Sequence, residues 1–279
     1  MANILIITHA HDRFRACDYI LRRFVRHWLA AGHRVSVVKG VGDWPDADIA
    51  FLHVDLSVVP DAYAEAAQRY PVVVNGAATD IRKRMVSRHL LRSGDAWNGP
   101  VIVKTDLNCG GWPELRIHER AIAARSTEGR LSSDLSILST EAYPVLDSLR
   151  DVPDAVWNDR HLVVERFLPE QDERGYWMRT WVFLGDRDRC SRHLGRDPVL
   201  KSSDILASEP AVVPDELRAE RHRLGFDYGK FDFVVRDGIA ILLDANKTPW
   251  MPGAAPGFEA AIPNLAGGID AWLRRQNAA

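Results

Sequence analysis

Three oxygen-bearing side chains near the C-terminus have the types and spacing of a cation site. Asp232, Asp244 and Asn246 lie where the apolar runs of the segment 228–249 begin and end. Carboxylate and amide oxygens on rigid strands are the ligands that Mg²⁺ prefers. We predict that these residues bind Mg²⁺, with Mn²⁺ as an alternative cation. A plain hairpin with acidic ends is the competing interpretation.

The turn between the apolar runs decides whether the three side chains share a face. A three-residue loop over 236–238, with Gly238 left-handed, would place Asp232 opposite Leu242 and bring both acids to one face. A two-residue loop would place Asp232 opposite Leu243 and separate the acids. The metal interpretation requires the three-residue loop or a bulge, and we predict the loop.

Strands alternate with helices over the first 78 residues. Predicted strands span 3–8, 34–38, 48–53 and 71–74, and predicted helices span 13–31 and 61–69. This alternation is typical of an α/β unit in which helices cover the faces of a parallel sheet.

The rest of the chain has a mixed α+β pattern. The predicted elements are a basic helix over 79–92, strands over 101–104, 162–165 and 176–184, helices near 140–150 and over 214–224, and the hairpin. A glycine-containing loop is predicted over 105–113 and polar loops over 186–210, whereas 114–160 match no motif.

Composition excludes several classes of protein. The 279 residues carry a net charge of −2, without the basic excess that a nucleic-acid-binding protein needs, and no apolar run is long enough to span a membrane. Three distant cysteines give no disulfide framework or zinc spacing, and we interpret Cys109 as a small-residue filler. We expect a cytoplasmic protein with small-molecule substrates and no nucleic-acid or membrane partner, and a homodimer remains open.

Several cationic and polar positions could hold a nucleotide. Lys104 ends an apolar strand before the glycine-containing loop, where its ammonium and exposed backbone N–H groups would suit phosphate. Glu165, Arg166 and Leu168 open an extended segment that would suit an adenine edge. Asp172 or Glu173 follows at a distance that suits a ribose. Further along the chain lie the cations Arg179, Arg192, Arg196 and Lys201.

The order of these features resembles that of the ATP-grasp superfamily. A strand lysine, a glycine loop, V-V-E-R-F-L, a cation cluster, G-K-F-D-F and L-L-D-A-N-K-T-P follow one another between Lys83 and Pro252. The resemblance implies a Rossmann-like pre-ATP-grasp domain over 1–78 and an ATP-grasp domain over 79–279. Within the latter it implies a small subdomain over about 98–168 and a large one over about 169–279.

The resemblance also implies roles for individual residues. ATP would be bound by Lys83, Lys104, Glu165, Arg166, Leu168, Asp172 and Lys201, and phosphoryl transfer would be supported by Lys104, Arg179, Arg192 and Lys230. Asp232, Asp244 and Asn246 match the metal-binding acid, acid and asparagine. Two positions depart from the pattern, because Asp244 stands where glutamate is usual and Lys230 where many members have arginine.

Members of this superfamily typically phosphorylate a carboxylate and let an amine displace the phosphate. The resemblance therefore implies an ATP- and Mg²⁺-dependent carboxylate–amine ligase. A kinase and a non-catalytic ATP-binding protein are the alternatives. A dinucleotide oxidoreductase is disfavoured, because the first strand is followed by H-A-H-D instead of a G-x-G-x-x-G motif.

Polar residues follow three of the apolar N-terminal strands. They include His9 and Arg15 after the first strand and His53 and Asp55 after the third. Ligands of α/β sheets collect at the carboxyl ends of the strands, so we predict that these four residues bind the acceptor substrate. Capped, solvated loops are the competing interpretation.

Overall fold

The computed structural model describes residues 1–132, 135–251 and 257–276. Pro252, where the resemblance ends, and residues 277–279 of the predicted C-terminal domain lie outside this part of the chain. The described residues form three sheets, of four, four and six strands. The structure is a mixed α/β fold, as predicted, and the domain boundaries stay a prediction.

The N-terminal sheet is parallel, with strand order β2-β1-β3-β4. Its strands are β1 (Asn3–Thr8), β2 (Arg34–Lys39), β3 (Ile49–Leu52) and β4 (Val73–Val74), and its helices are α1 (Ile20–Ala30) and α2 (Asp61–Ala67). β1 and β3 are almost continuously apolar because helices and loops cover both faces.

The first helix begins later than the sequence pattern predicts. Residues 13–19 are not helical, because Tyr19 is extended and bridges Trp250, and the N–H of Ile20 donates to the carbonyl of Pro249. These tertiary partners take the backbone groups that the first turns of a helix over 13–31 would have used.

The second sheet is antiparallel, with order β5-β8-β6-β7. Its strands are β5 (Leu90–Leu91), β6 (Val101–Thr105), β7 (Val145–Leu146) and β8 (Leu162–Arg166), and the associated helices are α3 (Lys83–Val86), α4 (Trp112–Ala123) and α5 (Asp154–Trp157).

Two predicted helices are wrong here. The basic segment 79–92 contains only the short α3 and β5, because the carbonyl of Thr79 and the N–H of Ile81 bond to residues of the N-terminal part. Residues 140–150 contain β7 and two turns of 3₁₀-helix, because β7 pairs with the edge of β6.

The third sheet is antiparallel and has the order β12-β11-β10-β13-β14, with β9 also pairing with β10. Its strands are β9 (Glu170–Asp172), β10 (Gly175–Leu184), β11 (Arg187–Gly195), β12 (Ala207–Pro210), β13 (Tyr228–Arg236) and β14 (Ile239–Asn246), and α6 (Asp215–Arg223) covers one face. The prediction of loops over 186–210 is wrong for β11 and β12, because charged β11 residues pair with β10 from Tyr176 to Leu184, and it holds for the connection between these two strands.

The hairpin of β13 and β14 has the two-residue loop, not the predicted three-residue loop. Arg236 pairs with Ile239, and the intervening Asp237 and Gly238 have φ values of 52° and 79°, which suit a type I′ turn. A bulge between Asp232 and Phe233 then shifts the register, so Asp232 pairs with Asp244. The bulge restores the shared face that the metal interpretation requires.

Two C-terminal helices join the ends of the chain. They are α7 (Ile262–Ala266) and α8 (Asp270–Gln276). The indole N–H of Trp28 in α1 donates to the carbonyl of Ala266 over 2.8 Å, and a buried apolar cluster there includes Leu184 and Tyr228 of the third sheet. This packing fixes the N-terminal sheet against the sheet that carries the hairpin.

Candidate functional site

Three lysines from different elements lie close to Asp244. They are Lys83 of α3, Lys104 of β6 and Lys230 of β13. The carboxylate of Asp244 accepts a hydrogen bond from the ammonium of Lys83 over 2.7 Å, and both side chains are largely buried. Burial opposes ionisation of Asp244, but the charges of Lys83, Lys104 and Lys230 lower its pKa below the ordinary value. Burial alone would lower the pKa of Lys83, but the charge of Asp244 raises it above the ordinary value.

Asp232 faces the same side of the hairpin. Its two oxygens accept hydrogen bonds from the hydroxyl of Thr180 over 3.0 Å and from Lys230 over 2.7 Å. Burial alone would lower the pKa of Lys230, but the adjacent carboxylate raises it. Lys230 therefore carries its charge at the position where phosphoryl transfer is predicted.

Asn246 is buried and held at the end of β14. Its amide oxygen accepts the N–H of Thr248 over 2.9 Å, and its NH₂ group lies 3.9 Å from the sulfur of Cys109. Burial raises the pKa of the Cys109 thiol to about 12. Cys109 therefore stays a thiol at neutral pH, in keeping with its interpretation as a filler.

Lys104 and Glu165 form a second buried pair, across β6 and β8. The ammonium lies 2.6 Å from one carboxylate oxygen of Glu165, and the other oxygen of Glu165 is buried without a partner among the described residues. Arg166 is exposed, donates its backbone N–H to His89 and places its guanidinium over Trp97. The backbone of Leu168 has no hydrogen-bond partner within the part of the chain that the structure describes.

The glycine loop before α4 has an unusual backbone. Cys109, Gly110 and Gly111 are all left-handed, with φ values of 46°, 64° and 84°. A Cβ at Gly110 would meet the carbonyl oxygen of Leu138 at 2.6 Å, so only glycine fits. Successive left-handed residues at a helix start turn backbone N–H groups toward one side, where they suit phosphate.

Two predicted catalytic arginines lie on the other face of the third sheet. Arg179 pairs with Phe233 of the buried core, next to Asp232 on the strand, and neighbouring strand residues point to opposite faces. Arg179 forms a bidentate pair with Glu170, whereas Arg192 bonds to Glu209 and stacks on Trp177. The structure does not bring these arginines to Asp232.

The face that Asp232 does occupy has other polar groups. His193 and Ser191 of β11 lie on that face, together with Thr180. Burial lowers the pKa of His193. The nearby charge of Asp232 acts in the opposite direction but does not cancel the effect of burial.

Two predicted nucleotide contacts lie toward the periphery. Asp172 is exposed in β9, where its carboxylate accepts the N–H of Arg174 over 2.8 Å. Lys201 is half-buried in the loop between β11 and β12. Neither residue contacts Asp244 or its lysines in the part of the chain described.

The four predicted acceptor residues have different surroundings. His9 is buried against Tyr63, and His53 is packed edge-on against two aromatic rings; burial lowers the pKa of His53 to about 3. Arg15 is exposed. Asp55 connects the N-terminal sheet with the hairpin, because it accepts the hydroxyl of Thr248 over 2.6 Å.

Solved structures with this arrangement of elements are known. No protein-family profile matches the sequence, and no curated protein sequence matches it either. A D-alanine–D-alanine ligase from Bacillus anthracis complexed with ATP aligns over 100% of this chain and 99% of its own, with a TM-score of 0.52 and 14% identity. The chain has the ATP-grasp fold.

Two further solved structures agree. The ATP-grasp ligase PsnB complexed with minimal precursor aligns over 96% of this chain and 98% of its own, at a TM-score of 0.54 and 13% identity. The macrocyclase MdnC bound with precursor peptide MdnA from Microcystis aeruginosa MRC aligns over 95% and 99%, at 0.51 and 11% identity. The resemblance inferred from the sequence is thus confirmed at the level of the fold.

The side-chain oxygens of Asp232, Asp244 and Asn246 suit Mg²⁺. No cluster of three His, Cys, Asp or Glu side chains suits a metal ion within residues 1–132, 135–251 and 257–276. The candidate set is instead two carboxylates and one amide oxygen on one face, which are hard ligands of the kind that Mg²⁺ takes together with water and phosphate.

Sequence reasoning missed several residues around the site. Tyr143 is close enough to Lys83 and Asp244 to feel their charges, and Arg116 donates to Asp55 over 2.9 Å. Both lie within 114–160, where no motif was found. Thr180 and His193 lie on β10 and β11, and no signal in the sequence shows that these strands pair beside Asp232. No helix among the described residues is long and apolar enough to cross a membrane.

Proposed function

We propose that this protein is an ATP- and Mg²⁺-dependent ligase that joins a carboxylate to an amine through an acyl-phosphate intermediate. The observation that carries the proposal is the convergence of Lys83, Lys104 and Lys230 on Asp244, on the face that also holds Asp232. A buried concentration of positive charge beside carboxylates is what a polyphosphate with a divalent cation needs.

The names of the structural neighbours support this proposal. Two are named as ligases and one as a macrocyclase, and one of the two ligases is complexed with ATP. A precursor accompanies two of them, and the one bound to MdnC is a peptide. The shared fold and these names together support the reaction class that we propose for this chain.

The nucleotide would be held by groups from four places in the chain, namely α3, β6, the glycine loop and the segment after β8. Lys83 and Lys104 would contact its phosphates together with the N–H groups of the glycine loop, and the free backbone of Leu168 would contact the adenine edge. Asp232, Asp244 and Asn246 would hold Mg²⁺, which would neutralise charge on the β- and γ-phosphates. Asp172 or Glu173 stays our proposal for the ribose.

Phosphoryl transfer would require electrostatic support more than a protein nucleophile. The substrate carboxylate oxygen attacks the γ-phosphorus, ADP leaves, and the amine then attacks the acyl carbon and releases phosphate. Lys230 would stabilise the developing charge beside Asp232. Arg179 and Arg192 have no direct part in this proposal, because each is paired with a glutamate on the other face.

The acceptor substrate would lie at the edge formed by Asp55. Its hydrogen bond to Thr248, two residues after Asn246, places this edge beside the proposed metal ligands. Arg15 is also available to a substrate because it is exposed. Asp55 is buried as well, as are His9 and His53, but the two histidines pack on aromatic rings and we assign them to packing.

Calorimetry with ATP in the presence and absence of Mg²⁺ tests the proposal. We expect Asp232→Asn to weaken Mg²⁺-dependent ATP binding by at least about tenfold, because a charged ligand is lost. Asp237→Asn is the matched control, since Asp237 lies at the exposed tip of the same hairpin. Asn246→Ala serves as a second site variant, and circular dichroism checks that each variant is folded.

A screen for ADP release with pairs of carboxylates and amines then tests the reaction class. Release that requires both partners, with phosphate as a second product, supports the ligase. A stable phosphoester would identify a kinase instead. Absence of ATP binding in either condition would refute the proposal.

A further inference from the structure

A pocket of about 390 Å³ opens beside the ends of β1 and β2. One wall is the connection between β1 and α1, and the opposite wall is the end of β2. The residues that line it are Arg13, Phe14, Arg15, Ala16, Val37 and Lys39.

Three cations surround this pocket, and none of them is neutralised. Arg13, Arg15 and Lys39 are exposed, and among the described residues none of the three lies within ion-pair distance of a carboxylate. In the third sheet, by contrast, Arg179 and Arg192 each have a glutamate partner. A pocket with three unpaired positive charges attracts an anion.

The wall between the cations is apolar and fixed. Phe14 is buried between its exposed neighbours and packs on Tyr19 at 5.7 Å and edge-on against His53 at 5.3 Å. The N–H groups of Ala16 and Cys17 both donate to the carbonyl of Arg13, which closes a turn. The pocket is therefore shaped by rigid backbone and offers carbon as well as charge to a ligand.

The pocket is connected to the proposed acceptor edge. Asp12, adjacent to Arg13, lies 2.8 Å from the hydroxyl of Tyr19, and the same hydroxyl lies 2.8 Å from Asp55. Asp55 in turn accepts the hydroxyl of Thr248. A chain of short contacts thus leads from the cations toward the proposed metal ligands.

We propose that this pocket binds an organic ligand that carries two or more carboxylates, such as an acidic segment of the acceptor substrate. Its space exceeds that of a single inorganic anion, and its apolar wall suits a carbon chain. Arg guanidinium groups recognise carboxylates bidentately. That the ligand is a substrate rests on the proposed function, whereas binding of the anion does not.

Isothermal titration of the full chain with N-acetyl-tetraglutamate amide tests the site. Because ATP-site lysines could also attract anions, ADP and Mg²⁺ are present in one series and absent in a second. We expect a dissociation constant below about 1 mM at low ionic strength. The triple variant Arg13→Gln, Arg15→Gln, Lys39→Gln should weaken it by about 10- to 100-fold.

The matched control removes the same number of charges elsewhere. Arg150, Arg187 and Arg236 are all exposed and lie outside the pocket. Their change to Gln should alter binding by less than about twofold, because distant exposed charges are screened. Thermal melting confirms that both triple variants are folded, and single substitutions replace the pocket triple if it is not.

Three outcomes would overturn the proposal. They are no tetraglutamate binding by the wild type, an equal loss in the control variant, and tripolyphosphate binding more tightly than tetraglutamate at the same three residues. The last would assign phosphate instead of carboxylate. Tetraglutamate binding without any ATP binding would uphold the pocket and refute the ligase, so the two failures are distinguishable.

Discussion

Replacing Asp244 by asparagine should destabilise the protein more than replacing Lys83 by methionine. The two side chains form an ion pair of 2.7 Å, and their exposed fractions are 23% and 4%. Removal of one partner leaves the other charge buried. The surroundings of the two charges differ, and this difference determines the sizes of the two effects.

The magnitudes follow from the neighbouring charges. Loss of one member of a buried pair costs about 3–5 kcal/mol, and Asp244→Asn should fall in this range because Lys83 would remain among other ammonium groups. Lys83→Met should cost about 1–2 kcal/mol, since the positive charges of Lys104 and Lys230 still act on Asp244. At about 3 °C per kcal/mol, the melting temperature should fall by about 9–15 °C and 3–6 °C respectively.

Thermal melting followed by circular dichroism at pH 7 measures both effects. The double variant should lose less stability than the two single variants together, because neither charge is then left buried without its partner. Asp237→Asn is the control, since the pair of Arg236 and Asp237 is exposed, separated by 3.8 Å, and worth less than about 1 kcal/mol. A larger loss for Lys83→Met than for Asp244→Asn would refute this account of the site's electrostatics.

Two further predictions concern the backbone and the pH dependence of stability. Gly110→Ala should destabilise the protein by at least about 1 kcal/mol more than Gly238→Ala in urea unfolding, since both positions have positive φ but only at Gly110 would a Cβ meet a backbone oxygen, at 2.6 Å. Equal losses would contradict the tight fit of the glycine loop. Burial raises the pKa of Asp12 to about 6, so its contribution to stability is present below the unfolded pKa of about 3.9 and is lost as pH rises through 6. Asp12→Asn should therefore gain about 2 kcal/mol relative to the wild type between pH 4 and pH 7 in denaturant titrations, and parallel pH curves for the two proteins would exclude the shift.

The apolar strands and the motif order could be predicted from the sequence. β1, β3, β6, β8 and β10 are short runs of β-branched and aromatic residues, and such runs form strands wherever they are buried. The acidic and amide residues of the hairpin could likewise be identified, because their chemistry is local. Their order along the chain was enough to anticipate the ATP-grasp fold.

The errors occurred where tertiary partners override local propensity. Residues 79–92 carry the charge pattern of a helix, but their backbone groups bond to the N-terminal part and leave only α3 helical. The charged β11 lacks an apolar stripe and is a strand because β10 offers it a complete ladder. Neither partner can be identified from the segment itself.

Sequence by itself determined which residue types are available for chemistry, namely two acids and an amide on a hairpin and lysines at defined points before it. Only the tertiary structure decided which of them meet. The bulge at Asp232 turned both acids to one face, and sheet alternation sent Arg179 to the other. Pairing of distant segments placed Lys83 against Asp244, because a contact between residues 161 positions apart depends on packing and not on local pattern.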